Sequence, residues 1–376
     1  MRIGIDATTI YTSRPTGLGV YSINIINEMA RLHDDLVIWT VNDSLLTVDK
    51  SKIRHAMRPL RFLGEELFQF RSFWVELLLP SRIRQEKIDV LYSTIPNGLA
   101  NSPVPHVVTV HDLIPLTFPD DSPRSVQWNF KHRLPKIFDN AAKIVAVSEF
   151  TKQDVLRHYD IASGKICTVT EGYDRAMFFP TENREILDIY SLKNKEYLLY
   201  VGSSSPRKNL TSLIHAFSII KDEIRHKLVL AGPKSPAEIR MFTSLISKEG
   251  VEGRVSLINY VPYHHLPALF CGAAVFVYPS RYEGFGLPVL EAMACGVPVV
   301  ASSTTSIPEV AGDSAMLVDP EDPRAIADAC RAILYDESLE ETLSVRGRKQ
   351  SEKFSWERAA SDILEILLAS GQQTGK

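Results

Sequence analysis

Two doubly wound α/β domains facing a cleft are the architecture that this 376-residue chain predicts. Three observations lead there. Short apolar, β-rich runs alternate with amphipathic helical stretches, which is the alternation of a parallel sheet covered by helices on both faces. The alternation stops at residues 181–195, T-E-N-R-E-I-L-D-I-Y-S-L-K-N-K, a polar stretch, and then restarts. The chain is also longer than one hydrophobic core comfortably organises.

In the first half, strands are expected at 3–7, 36–41, 90–93, 107–111, 144–148 and 166–170. Helices are expected at 18–32, 126–141 and 150–159, the last with Val155 and Leu156 on one face. The polar stretch serves as linker. In the second half, strands follow at 197–201, 228–231, 255–259, 274–278, 297–301 and 315–318, and residues 339–370 read as one long helical stretch. The domain boundaries that result are 1–180, 195–355 and a terminal segment, 356–376. Open sheets of this kind bind ligands beyond the carboxyl ends of their strands, so the loops that follow strands are where a site belongs.

Composition removes several classes. Hydrophobic residues at 45% and charged residues at 23% describe an ordinary globular protein. Residues 1–180 carry 21 Lys and Arg against 20 Asp and Glu, and residues 181–376 carry 21 against 25, so neither half resembles a nucleic-acid binder. Cys167, Cys271, Cys295 and Cys330 lack C-x-x-C spacing and sit in apolar surroundings. They read as reduced core thiols of a cytoplasmic protein, not as zinc ligands. The first residues open directly on a strand without the pattern of a signal peptide, and no apolar run approaches the ~20 residues of a membrane span.

The chemistry is concentrated in Y-P-S-R-Y-E-G-F-G-L-P-V-L-E-A-M-A-C-G-V-P-V-V, residues 278–300. It sets two carboxylates, Glu283 and Glu291, across a glycine-bearing loop and a helix start, with Pro288 suited to the first helical position. Gly284 and Gly286 let backbone approach a ligand, and a helix N-terminus offers N–H groups and partial positive charge. Such a loop suits a polyhydroxylated anion, a sugar phosphate. A second loop, G-S-S-S-P-R-K-N at 202–209, follows the 197–201 strand and brings Arg207, a planar fork for phosphate oxygens, beside the point charge of Lys208.

These residues resemble glycosyltransferase family 4, the retaining, nucleotide-sugar-dependent enzymes of GT-B fold, over nearly the whole chain. The fold that the resemblance implies is α/β with two Rossmann-like domains, the first binding acceptor and the second nucleotide sugar, and a last helix that crosses back onto the first. It also implies roles. Glu291 binds the ribose hydroxyls and Glu283 the transferred sugar, helped by backbone N–H groups at Phe285, Gly286 and Leu287. Arg207 and Lys208 balance the departing diphosphate. Val261, with Asn259 and Tyr260, packs on the base. No D-x-D motif follows a strand, so neither a metal nor any other cofactor is expected.

The first half adds its own candidates. T-G-L-G-V-Y at 16–21 feeds a helix, and Gly17 and Gly19 match the family's loop over the donor phosphates. The stretch is not a dinucleotide fingerprint, because the third glycine is missing and Asp34 and Asp35 precede the second strand. His111, in V-H-D-L-I-P, ends a buried strand and matches the family's active-site histidine, with Asp112 either orienting the ring or capping the next turn. Ser148 is a helix N-cap first and a sugar contact second. Where many relatives carry N-G-V-D, this chain has Glu171-Gly172-Tyr173-Asp174, so that asparagine's role does not transfer.

The combination of motifs resembles bacterial mannosyltransferases of polysaccharide and O-antigen assembly, which implies GDP-mannose as donor and a glycan, lipid-linked, as acceptor. UDP-sugars remain open, as do a GT-B sugar-nucleotide epimerase and a non-catalytic sugar-nucleotide-binding subunit. Residues 50–87 carry nine Lys and Arg, Arg58, Arg61 and Arg71 among them, against four Glu, with Phe73 and Trp74 interleaved. Two readings stand for this segment: a peripheral contact with the anionic inner face of a membrane, or a domain helix with an apolar core face and a solvated basic face.

Overall fold

A computed structural model describes residues 1–12, 17–56 and 71–372. The chain divides into two compact units, Met1–Gly172 with Ser355–Lys376, and Tyr173–Phe354. The first is built on a parallel sheet of β1 (Ile3–Ala7), β2 (Leu36–Thr40), β3 (Ile53–His55), β4 (Val90–Ser93), β5 (His106–Val110), β6 (Lys143–Ala146) and β7 (Ile166–Thr168). Its order is β3-β2-β1-β4-β5-β6-β7. Every residue of β1, β2, β4 and β5 is buried, as expected of strands with helices on both faces.

The second unit repeats the scheme with β8 (Tyr197–Val201), β9 (Lys227–Ala231), β10 (Val255–Ile258), β11 (Val275–Tyr278), β12 (Val299–Ser302) and β13 (Met316–Val318), in the order β10-β9-β8-β11-β12-β13. Strand order reverses between β1 and β4 in one sheet and between β8 and β11 in the other. A crevice opens beyond the carboxyl ends at such a reversal. The loops that follow β8 and β11 carry the Arg207 and Glu283 motifs, so topology alone converges them.

Four expectations are corrected. The polar stretch 181–195 is not a bare linker: it holds the helix Arg184–Ile189, capped by Asn183 and anchored through buried Leu187. The unit boundary falls earlier, at Gly172, because Tyr173 and Phe178 bury within the second unit. The helix expected at 126–141 is interrupted: Arg124–Trp128 leads into a π-turn, Asn129–Arg133, and then Leu134–Asn140. Pro135 supplies the reason, since it has no N–H for a regular helical bond and its ring crowds the preceding turn. Finally, 339–370 is two helices, Glu337–Ser351 and Trp356–Gln372. They part at 352–355, where the Ser355 hydroxyl accepts from Arg358 N at 3.1 Å and starts the second. That last helix packs within the first unit against the helix Gly17–Leu32, Trp356 meeting Tyr21 edge-on at 5.8 Å.

Candidate active site

Within the second unit, three side chains converge on one carboxylate, that of Glu283. Lys208 lies on the short turn Pro206–Lys208, and Asn209 behind it takes φ 60° to start the helix Leu210–Ile220. Lys208 Nζ donates to Glu283 Oε1 at 2.5 Å and to the Tyr278 hydroxyl at 2.6 Å. The Tyr278 hydroxyl in turn donates to Glu283 Oε1 at 3.0 Å, and Arg207 reaches the same oxygen at 3.3 Å. The two loops are laced by backbone as well, Arg281 N donating to Arg207 O at 2.8 Å. All of this is nearly dry: the Lys208 and Glu283 side chains are 9% and 11% exposed. Burial pushes the Glu283 carboxyl up, but Lys208 and then Arg207 outweigh it and hold the group below the ordinary range, so it is ionised. Tyr278 is shifted the other way, by burial first and Glu283 second, and stays a neutral donor.

Gly286 is the N-cap of the helix Leu287–Ala294, which places Pro288 second rather than first in the helix. Its φ of 118° is a conformation that L side chains rarely adopt, and a Cβ there would lie 2.6 Å from Ile307 Cδ1. The isoleucine tip can move; the backbone cannot. Gly286→Ala therefore costs ~1 to 3 kcal/mol in strain. The expected result is a lower thermal midpoint together with loss of turnover, and an unchanged midpoint would show that the loop relaxes freely. Five residues into this helix, buried Glu291 accepts from the Tyr263 hydroxyl at 3.1 Å. Burial, with Glu291 adding to it, drives the Tyr263 phenol far up, so it remains a donor. Phe285 is buried against Phe354, ring centroids 5.8 Å apart, and its carbonyl accepts from Ser306 Oγ at 2.8 Å.

Lys234 was not foreseen. Its Nζ is buried and donates to the carbonyls of Leu230 at 2.9 Å, Gly232 at 2.8 Å and Ile258 at 3.0 Å, while its N–H donates to Asn259 Oδ1 at 3.0 Å. Burial lowers its pKa to about 8. The cation ties the ends of β9 and β10 beneath residues 259–261, where buried Val261 and half-exposed Tyr260 sit. A lysine after a strand in G-P-K gave no hint of this inward turn.

In the first unit, His111 follows β5 and is buried. Its Nε2 faces the Thr94 carbonyl at 2.8 Å and its Nδ1 faces Glu171 Oε1 at 3.2 Å. Asp112 accepts from Ile114 N at 3.0 Å and so caps the following turn. Ser148 is the N-cap of the helix Glu149–His158, accepting from Thr151 N at 3.0 Å. The expected glycine loop is corrected: Gly17 and Gly19 lie in the first turn of the helix Gly17–Leu32, and residues 13–16 fall outside those described. A cavity of ≈ 170 Å³ adjoins His111, walled mostly by apolar residues such as Leu18, Pro115, Val126 and Phe130, with Arg133 on its rim.

The reading of the basic segment is corrected at Arg71. Residues 57–70, Arg58 and Arg61 with them, lie outside the described residues. Arg71 is fully buried and donates to Asp6 Oδ2 at 2.5 Å, so it faces no membrane. Trp74 is likewise core, whereas Phe73 and Leu77 are 61% and 60% exposed.

Among the described residues no helix is long and apolar enough to cross a membrane. The family model "Glycosyltransferase Family 4" matches residues 15–176, and "Glycosyl transferases group 1" matches residues 182–350. O-antigen chain mannosyltransferase B of Escherichia coli is 33% identical over 93% of this chain and 95% of its own. Among solved structures, sucrose-phosphate synthase of Thermosynechococcus elongatus superposes with a TM-score of 0.80 at 21% identity, covering 97% of this chain and 98% of that one. Anabaena HepE in complex with UDP-glucose does so at 0.76 and 18%, covering 98% and 100%. At these identities the structural likeness is one of fold, the GT-B architecture.

Proposed function

The chain belongs to glycosyltransferase family 4, and on that premise we propose that it is a retaining enzyme moving mannose from GDP-mannose to a glycan acceptor carried on a lipid. The observation that carries the reading is the ionised Glu283 carboxylate held against Lys208 and Arg207 at the reversal between β8 and β11. Two cations and a helix start beside one carboxylate suit a sugar diphosphate. The cations balance charge growing on the departing phosphate, and the carboxylate accepts from hydroxyls of the sugar whose anomeric centre becomes oxocarbenium-like. Glu291 takes the ribose diol, with Tyr263 keeping its other side occupied. The family resemblance is what assigns His111 to the same reaction and the acceptor to the first unit. Mannose is favoured by the Escherichia coli relative's name and by the motifs; the UDP-glucose bound to HepE keeps a UDP-sugar donor as the second reading.

The test is a panel of radiolabelled nucleotide sugars with bacterial membrane lipid extract, with and without anionic vesicles. Release of GDP together with labelled lipid is expected, and EDTA leaves the rate unchanged because Arg207 and Lys208 carry the phosphate charge. Turnover of UDP-sugars alone overturns the choice of donor. Nucleotide release without any acceptor overturns transfer itself, and a strict need for Mg²⁺ or Mn²⁺ overturns the phosphate assignment. Stimulation by vesicles would support a peripheral membrane contact.

A further inference from the structure

We propose that Glu171 is a positioning residue that keeps His111 doubly protonated, so that the ring acts as a fixed cation and not as a base. The argument starts from hydrogen-bond partners. The Thr94 carbonyl has no proton to give, so the 2.8 Å contact requires a proton on Nε2. At the opposite side of the ring, Nδ1 lies 3.2 Å from Glu171 Oε1. One proton must occupy that contact, and an imidazole is a stronger base than a carboxylate. The proton therefore stays on Nδ1, and both ring nitrogens are donors. The side chains are only 8% and 6% exposed, so the attraction between them is little screened.

Among the described residues, the groups packed against the ring are neutral or turned elsewhere. The helix Gly17–Leu32 presents the edge of Tyr21, centroids 4.5 Å apart, and β4 presents the Tyr92 hydroxyl, 2.9 Å from that of Tyr21. Both phenols are raised first of all by burial, Tyr92 to about 12, so both stay neutral. Asp112 is turned to Ile114 N at 3.0 Å, and Thr151 Oγ1 donates to the His111 carbonyl at 3.3 Å. The ring is thus pinned at both nitrogens with no lone pair left. It cannot take a proton from an acceptor hydroxyl; what it offers substrate bound beside it is fixed orientation and positive charge. A neutral amide at position 171 would bring no charge to the ring.

This inference rests on the reading of His111 as part of the transfer site, and its test separates the two. Protein labelled with ¹⁵N in its histidine rings is examined by long-range proton–nitrogen correlation at neutral pH, the His111 signals being assigned by their loss in His111→Gln. Both nitrogens of His111 are expected to be protonated in the wild type. In Glu171→Gln the amide donates to Nδ1, which loses its proton while Nε2 keeps Thr94. Turnover is expected to fall about tenfold or more with the donor KM within about twofold, since the loss is one of transition-state stabilisation. A bare Nδ1 in the wild type would put the proton on Glu171 and overturn the proposal. So would a Glu171→Gln enzyme of normal rate, which would confine the pair to holding the fold. Failure of the GDP-mannose reading leaves the wild-type spectrum untouched.

Discussion

Glu283→Ala abolishes sugar-dependent turnover, by a factor on the order of 10² to 10³, while leaving much of the affinity for free nucleotide. The carboxylate is where the two loops meet: one oxygen receives Lys208, Arg207 and the Tyr278 hydroxyl. Removing it leaves two nearly buried cations facing each other, a loss of ~3 to 5 kcal/mol when one partner of a buried pair is deleted. Glu291→Ala has the opposite profile. Its loss falls on the nucleotide, by ~1 to 3 kcal/mol if the ribose is held by hydrogen bonds to a charged group. Calorimetric titration with GDP separates the two variants, and equal losses in both would refute the division of labour. Acidity gives a second handle. Burial raises the Glu283 carboxyl, but the cations bring it below its unfolded value, so its contribution is complete above that unfolded value. The contribution is lost as pH falls through the folded value. Melting of Glu283→Gln should therefore depend less on pH in the acid range than melting of the wild type.

The parts of this molecule that were legible are those written locally. Alternating apolar runs found all but one of the strands, and the short β3 escaped because I-R-H carries no period. The E-x7-E and P-R-K-N loops could be read because each follows a strand directly, where the topology must place a ligand. Pairs made across the sheet could not. Glu171 is 60 residues from His111 and Arg71 is 65 from Asp6, and no periodicity connects them. The replacement of asparagine by Glu171 was a visible signal for the first pair. Arg71 had none: it stands in a run of exposed-looking basic and aromatic residues, and only the closed sheet shows that its stem and guanidinium are core.

That burial makes Asp6→Ala the most destabilising single change expected in the first unit. Arg71 is fully buried; its Nε donates to Thr8 Oγ1 at 2.7 Å, one terminal nitrogen to the Asn97 carbonyl at 2.5 Å and the other to Asp6 Oδ2 at 2.5 Å. Burial holds the guanidinium's pKa below its ordinary value and Asp6 offsets part of that, so the carboxylate is what makes a charge tolerable here. Without it the cation has no counterion among the described residues, at a cost of ~3 to 5 kcal/mol, against a total stability on the order of 5 to 15 kcal/mol for a domain. Urea unfolding followed by tryptophan fluorescence, with Trp39 and Trp74 in the same core as reporters, should show the first unit's transition moving to much lower denaturant. The double variant Asp6→Leu with Arg71→Met removes both charges and should recover most of the loss, because apolar replacement of a buried ion pair is often neutral or better. A single variant within ~1 kcal/mol of wild type would mean that water or residues beyond those described reach the guanidinium. Arg71→Ser serves as the contrast: it should weaken the fold, whereas a membrane-facing arginine would lose only lipid binding and leave the melt unchanged.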